Sequence, residues 1–419
     1  MEPTHINPQA IWQLWLLCAA LIFATAGRAD ETLEGPAVPV PATYFGMHFH
    51  RAGDPTIVPA EGIGSWRLWD ARVAWRYLDP NGSGLNFASL DRLVSLARSR
   101  HIDLLYTFGA TPEWASARPA EKGPYGSGSA AEARDINDWL EYVRRTARRY
   151  QGNIRSYEIW NEPNGGFFTG DVQTLVEYGC AAASVLKEID PSLTVVSPSG
   201  VGKYPYQLKW LEEFLARGGA ACVDVIGYHL YAPTGTPESM LPSVRAVQSL
   251  MRKYGVADKP LWNTEAGWRL DLGPDKVPPI DPKWPKLDPE LSAAYVSRAL
   301  LIGWTAGLTR YYWYSWDHHD MGFVREDGRT TASAQAFLRT RRWLDGAIVK
   351  RCESRNVLWT CELIRNNSHS IVVWSEDTTL RQWQVPIGFI SFETLSGQQN
   401  QIPVTRKILV DSQPRLVMQ

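Results

Sequence analysis

The sequence predicts an α/β fold, a (β/α)8 TIM barrel followed by a small C-terminal antiparallel β-sandwich domain. Three observations carry this. From about residue 43 to 345 short apolar strands alternate with amphipathic helices, the signature of parallel α/β architecture. Two of those strands run into loops through a carboxylate, Tyr157-Glu158-Ile159-Trp160-Asn161-Glu162-Pro163 and Leu261-Trp262-Asn263-Thr264-Glu265-Ala266-Gly267-Trp268. A barrel presents catalytic groups in this way, at the C-terminal ends of its strands. After about residue 345 the helical period vanishes, and short alternating runs such as Ser370–Trp374 and Lys407–Val410 replace it.

The chain begins with an apolar run, Ile11 to Ala26, closed by Gly27-Arg28-Ala29. That length is short for a membrane span and fits a signal peptide over residues 1–29, cleaved after Ala29. Residues 1–10 hold no Lys or Arg, so an uncleaved anchor is the alternative. Either way the expectation is an exported protein, periplasmic (inner-membrane anchored in the second case) or secreted. Where the segment is retained, membrane attachment is expected through residues 11–26 only.

Eight strands are expected in order: Tyr44–His50, Ser65–Trp69, Asp103–Gly109, Ser156–Asn161, Thr194–Ser197, Val223–Tyr231, Leu261–Glu265 and Arg310–Trp316. Between them lie helices over Phe87–Arg100, Ile136–Tyr150, Val172–Ile189, Tyr206–Arg217, Pro237–Tyr254, Pro289–Ala306 and Ala332–Leu344. In the second helix Ile136, Trp139, Leu140, Val143 and Ala147 share one face and the arginines are solvated. No Gly-rich phosphate motif follows the first strand, which argues against a dinucleotide site. The barrel is assigned to residues 30–345 and the sandwich to 346–419, packed together without a disordered linker.

Composition narrows the class. With 44% hydrophobic and 21% charged residues the chain is globular. Its net charge of -1, with Lys and Arg scattered, gives nucleic acid no electrostatic footprint. Export permits disulfides. Cys352 and Cys361 flank a short polar turn and are the candidate pair, whereas Cys180 lies in a helical pattern and is read, with Cys222, as a buried thiol.

A two-residue period puts Glu158, Trp160 and Glu162 on one face, and Leu261, Asn263 and Glu265 on another. Glu158 lies deep and needs a partner, for which Arg67 on the second strand is the candidate. Two rim glutamates close together split their pKa values through repulsion and unequal solvation. One can then attack an anomeric carbon while the other protonates the leaving oxygen, the requirement of glycoside hydrolysis. The expected partner is thus a polysaccharide or oligosaccharide, and no cofactor is needed. Trp316-Asp317-His318-His319-Asp320 has ligand-type side chains, but neighbours at a strand end rarely converge on one ion, so no metal is expected. Trp316 is read as a platform under the sugar and His50 as a sugar contact, with His48 on the same face. Long βα loops carry Tyr125, Phe167, Phe168, Trp268, Trp284 and Phe323, which suit several subsites or the walls of a pocket for terminal sugars.

Asn161-Glu162-Pro163 on the fourth strand and Glu265 on the seventh resemble clan A of the glycoside hydrolases, retaining (β/α)8 enzymes. The resemblance implies that Glu162 is the acid/base, Glu265 the nucleophile and Asn161 the holder of the sugar 2-hydroxyl. Asp224 through His229-Leu230-Tyr231 is similar to the clan's sixth strand, where the His lines the site and the Tyr orients the nucleophile. Arg67 resembles a second-strand arginine near the nucleophile, an alternative to its role as partner of Glu158. Tyr44–Arg51 and Thr107–Trp114 resemble family 39, most closely its bacterial branch acting on exopolysaccharides, the Psl-type biofilm endoglycosidases. Trp114 and Trp268 join the expected substrate contacts. The implied function is endo-hydrolysis of an exopolysaccharide. Exo-action of the β-xylosidase or iduronidase type and non-catalytic saccharide binding are the alternatives.

Overall fold

The computed structural model describes residues 30–54, 56–59, 61–202, 205–273, 281–325 and 327–419. The apolar run 11–26 and the expected cleavage point after Ala29 lie outside the described residues. Among the described residues no helix is long and apolar enough to cross a membrane.

Eight parallel strands form the barrel: β1 (Phe45–Met47), β2 (Ser65–Leu68), β3 (Asp103–Thr107), β4 (Ser156–Glu158), β5 (Thr194–Val196), β6 (Ile226–His229), β7 (Leu261–Ala266) and β8 (Leu308–Trp313). Hydrogen-bonded neighbours run from β5 back through β1 to β8, β7 and β6. The circle closes through a parallel bridge from Val196 to Val225, and Gly200–Val201 extends the closure by pairing with β6. Leu105, Val196, Val225, Trp262 and Tyr312 form one buried cluster. Side chains from that many strands meet only along the barrel axis, so this is the floor beneath the mouth. The strands are shorter than the apolar runs that signalled them, because residues such as Phe49 and Trp69 continue into buried loops.

Helices cover the outside and begin where the sequence offers caps. Asp135 accepts from the Asn137 N–H to start Ile136–Arg149, and Asp171 accepts from the Thr174 N–H to start Val172–Ile189. The expected helix from Pro237 is a 3-10 turn, Pro237–Met240, followed by Leu241–Lys253. Pro289–Thr305 is buried on every side from Ser292 onward. Its all-round apolar sequence is that of a helix covered on both flanks.

The second cover is the C-terminal sheet. Its order is Glu31–Glu34, Ile348–Arg355, Leu358–Arg365, Ser368–Ser375, Arg415–Met418, Ser391–Thr394 and Gln399–Gln401, all antiparallel. A ribbon of Arg381–Gln384 and Lys407–Val410 lies over it, enclosing a small core of Val373, Val385, Phe389, Ile408, Val410 and Val417. Glu31–Glu34 is therefore an edge strand of this sheet, although it precedes the barrel in the chain. Arg298, inside the buried helix, binds both oxygens of Glu238, and Trp374 of the sheet donates to Glu238 Oε1 at 2.9 Å.

Cys352 and Cys361 face each other across the first hairpin and are bonded, as their spacing suggests. The reading of Cys180 and Cys222 as thiols is corrected. Helix Val172–Ile189 and the 3-10 turn Gly219–Cys222 bring their Cα atoms to 5.0 Å, and they form a second disulfide.

Candidate active site

Both rim glutamates reach the mouth through breaks in regular strand geometry, not through the alternation that flagged them. On β4 the ladder ends at Glu158, and Trp160 turns to the helices, 5.8 Å from Trp139 and 5.1 Å from Phe168. Asn161 then bridges Ser199, and Glu162 adopts a left-handed conformation with φ 35°. A non-glycine residue there is held by its surroundings. On β7, Trp262 and Thr264 face the barrel axis, since Trp262 joins the floor and Thr264 Oγ1 donates to Ser199 at 2.6 Å. The ladder to β6 pairs Tyr228 with Asn263 and then His229 with Glu265, skipping Thr264. This bulge turns Glu265 inward immediately after Thr264. Glu265 thus faces the mouth without sharing a face with Asn263, whose Oδ1 accepts the Leu230 N–H at 3.1 Å.

Arg67 is the hub. Wholly buried, it donates Nε to Glu158 Oε2 at 2.7 Å, Nη1 to Glu265 Oε2 at 2.9 Å and Nη2 to Asn161 Oδ1 at 2.7 Å. The two alternatives for this arginine are both present in one geometry. Such burial leaves it no surface to offer a sugar, so it positions other groups and is not a contact residue. Thr107 and Ser199 hydroxyls complete the shell of Glu158.

The upper layer is asymmetric. Tyr231 donates to Glu265 Oε1 at 2.8 Å, so both oxygens of that carboxylate have fixed donors. Glu162 Oε1 lies 2.7 Å from His229 Nδ1. Oxygen atoms of the two glutamates and a ring nitrogen of His229 lie within 4.8 Å of one another. Burial raises the Glu162 carboxyl to about 7, against the pull of Arg67. Burial lowers His229 to about 4, so its ring is neutral at pH 7. Burial also raises Glu265, while His229 and Arg67 act in the opposite direction. Glu162, raised to about 7, stands beside a Glu265 whose two oxygens are held by a guanidinium and a hydroxyl, an unequal pair of the kind acid and nucleophile chemistry requires.

Around this pair lies a further polar cluster in which His50 was expected from the sequence and Asp70 was not. Asp70, at the end of β2, accepts from the Tyr125 and Tyr314 hydroxyls, and His50 Nε2 is 3.0 Å from Tyr314 Oη. Burial opposes charge on both partners, yet Asp317 and Asp70 raise His50 to about 9, and His50 with Tyr125 lowers Asp70 to about 2. His50 therefore belongs to an ionic cluster at the rim. Asp70 occupies the same strand-end position as the two glutamates, the signal that would have found it. His48 is buried deeper, with Nε2 3.0 Å from Thr264 O.

Of the three tryptophans expected to meet sugar, Trp268 and Trp316 are packing residues and Trp114 is half-buried. Trp268 is buried against Trp313 and Tyr295, with its N–H on Gly235 O. Trp316 is buried between Phe49 and Phe323. Trp114 donates to Asp79 O at 2.8 Å and packs edge-on against Trp75. The aromatic groups beside the glutamates are Tyr231 with Trp284 at 5.5 Å, Tyr314, and the cluster Trp69, Tyr125 and Phe167.

The model of the glycosyl hydrolases family 39 matches residues 65–302, more than half of the chain, and that span holds both glutamates and Arg67. The chain belongs to glycosyl hydrolase family 39. It is thereby a clan A glycoside hydrolase, and a carbohydrate substrate follows from the family. No curated protein matches the sequence. Solved structures share the fold. A family 39 glycoside hydrolase from Bacteroides cellulosilyticus WH2 superposes with TM-score 0.72 at 16% identity, covering 91% of this chain and 81% of that one. A monomeric beta-xylosidase from Caulobacter crescentus CB15 gives 0.64 at 14% identity, with 92% and 97% covered. A GH30 endoxylanase from Clostridium papyrosolvens C71 gives 0.63 at 12% identity, with 93% and 99% covered. The family 39 fold thus extends across the barrel and the C-terminal sheet.

Proposed function

We propose that the chain is an exported, retaining, endo-acting hydrolase of a bacterial exopolysaccharide, of the Psl-type branch of family 39. Glu265 attacks the anomeric carbon while Glu162 protonates the departing oxygen. Esterification removes the Glu265 charge, the Glu162 pKa falls, and Glu162 then draws a proton from the water that frees the product. Asn161 binds the 2-hydroxyl.

The observation that carries the reading is the carboxylate pair, with oxygens within 4.8 Å. Retaining enzymes hold their carboxyls about 5 Å apart, whereas inverting ones leave about 6.5–9.5 Å for a water. Aromatic side chains on the loops after β3 and β4 (Tyr125, Phe167) and after β6 and β7 (Tyr231, Trp284) support an extended saccharide crossing the mouth.

The test is digestion of purified exopolysaccharides by wild type and Glu265→Gln, with products sized by mass spectrometry. Oligosaccharides of regular repeat length, absent with the variant, are the expected result. Release of monosaccharide alone would replace endo with exo action of the β-xylosidase type. Binding without cleavage by both proteins would mean a saccharide-binding protein.

A further inference from the structure

The turn after β8 places His318, His319 and Asp320 so that one donor atom from each lies within 4.8 Å of the others. This corrects the expectation that consecutive residues there do not converge. The two imidazoles pack with centroids 4.0 Å apart, and His318 Nδ1 is 2.9 Å from Asp320 Oδ1. The Asp320 side chain is only 3% exposed, so this oxygen depends on the neighbouring imidazole for compensation. His318 Nδ1 is itself an acceptor, 3.4 Å from the Asp320 backbone N–H. That 2.9 Å approach joins a ring nitrogen to a buried carboxylate, and His319 brings a second imidazole beside them. A buried carboxylate is costly, and a cation among these three donors would compensate it more fully than one imidazole does.

The surroundings are those of a supported ligand set. Asp320 Oδ2 accepts from Arg269 Nε at 3.0 Å, and its backbone carbonyl accepts from Leu270 N, so the carboxylate is fixed in orientation. The His318 backbone N–H donates to Ser315 Oγ at 3.1 Å, which fixes the turn that carries the ring. All three residues line a cavity of about 640 Å3 that also contains His50. The catalytic trio of Glu162, His229 and Glu265 is equally compact, but there both Glu265 oxygens already have donors and His229 is directed at Glu162.

We propose that His318, His319 and Asp320 form a binding site for a borderline divalent cation of the zinc class. Two imidazoles and one carboxylate are the donors such ions prefer, and three protein ligands leave open positions facing the cavity. A cation held there would offer those positions to oxygen atoms of a saccharide in the same cavity.

The test is calorimetric titration of the chelator-treated full chain with Zn2+ alone, beside the His318→Ala/His319→Ala variant. The wild type is expected to bind one ion, and the variant to bind more than about tenfold more weakly, the loss that removal of outer-shell partners alone can cause. Should the double variant fail to fold, His319→Gln at its exposed position takes its place. Co2+ gives a second readout, since imidazole ligation produces visible absorption that the variant should lack. Equal binding by both proteins, or no binding by the wild type, overturns the proposal.

Discussion

Two buried arginines organise this molecule, and they are used in opposite ways. Arg298 at the seam between barrel and sheet grips Glu238 through both oxygens, with Nε at 2.8 Å and Nη2 at 2.5 Å, and Trp374 adds a third donor. Burial raises the Glu238 carboxyl, but Arg298 outweighs it, and the pKa is lowered. Arg67 at the barrel mouth is divided among Glu158, Glu265 and Asn161, and Glu162 nearby receives only part of its influence and rises to about 7. One guanidinium per carboxylate makes a fixed joint. One guanidinium shared among several makes a proton-exchanging site, because the group left least compensated keeps its proton at neutral pH.

The largest expected effect separates the two glutamates of the mouth. Glu265→Gln should abolish turnover on every substrate. Glu162→Gln should lose about 10²–10⁴ in rate on natural glycosides and little on aryl glycosides with good leaving groups, which need no proton. With Glu162 raised to about 7, the acid is present below that pH and is lost as pH rises through it. The wild-type rate should therefore fall above about pH 7, and Glu162→Gln on an activated substrate should lack that alkaline limb. Equal losses for both variants on such a substrate would reverse or void the role assignment.

Next come the arginines themselves. Arg298→Met leaves the buried Glu238 without its counter-charge, holding only the Trp374 N–H, which costs about 3–5 kcal/mol. The expected result is a large fall in Tm with an unchanged rate per folded molecule. Arg67→Met should lower Tm and kcat together, since it strands Glu158 and frees Glu265. An unchanged Tm for Arg67→Met would separate the mouth cluster from stability altogether.

The barrel was legible in the sequence because eight strand–helix units repeat one physical pattern, and Glu162 and Glu265 because each sits where an apolar run meets a loop. How those side chains enter the mouth was not legible. A bulge that skips Thr264 and a left-handed Glu162 are set by neighbouring strands, so alternation assigned Trp160 and Asn263 to faces they do not occupy. Trp268 and Trp316 were misread for a simple reason: an indole suited to stack on a sugar is equally suited to fill a core. Cys180 and Cys222 are separated by 42 residues, and only the docking of a helix against a later turn joins them. Cys352 and Cys361, on one hairpin, needed no such long-range information.

The smallest expected effects are the sharpest comparison, since each removes one neutral donor from a buried carboxylate. Trp374→Phe deletes the N–H on Glu238 Oε1, an oxygen that keeps the Arg298 Nε. The cost should be about 1–3 kcal/mol, read as a modest fall in Tm with no change in kcat. Tyr231→Phe deletes the O–H on Glu265 Oε1, which then loses its hydroxyl donor. A carboxylate robbed of a donor becomes harder to ionise, so the Glu265 pKa should rise and the acidic limb of the pH–rate profile should move to higher pH. The same deletion is thus expected to appear as heat lability at the seam and as a displaced pH profile at the mouth. If Tyr231→Phe lowered Tm without moving the acidic limb, Glu265 would be a structural carboxylate like Glu238, and the nucleophile would have to be sought elsewhere in the mouth.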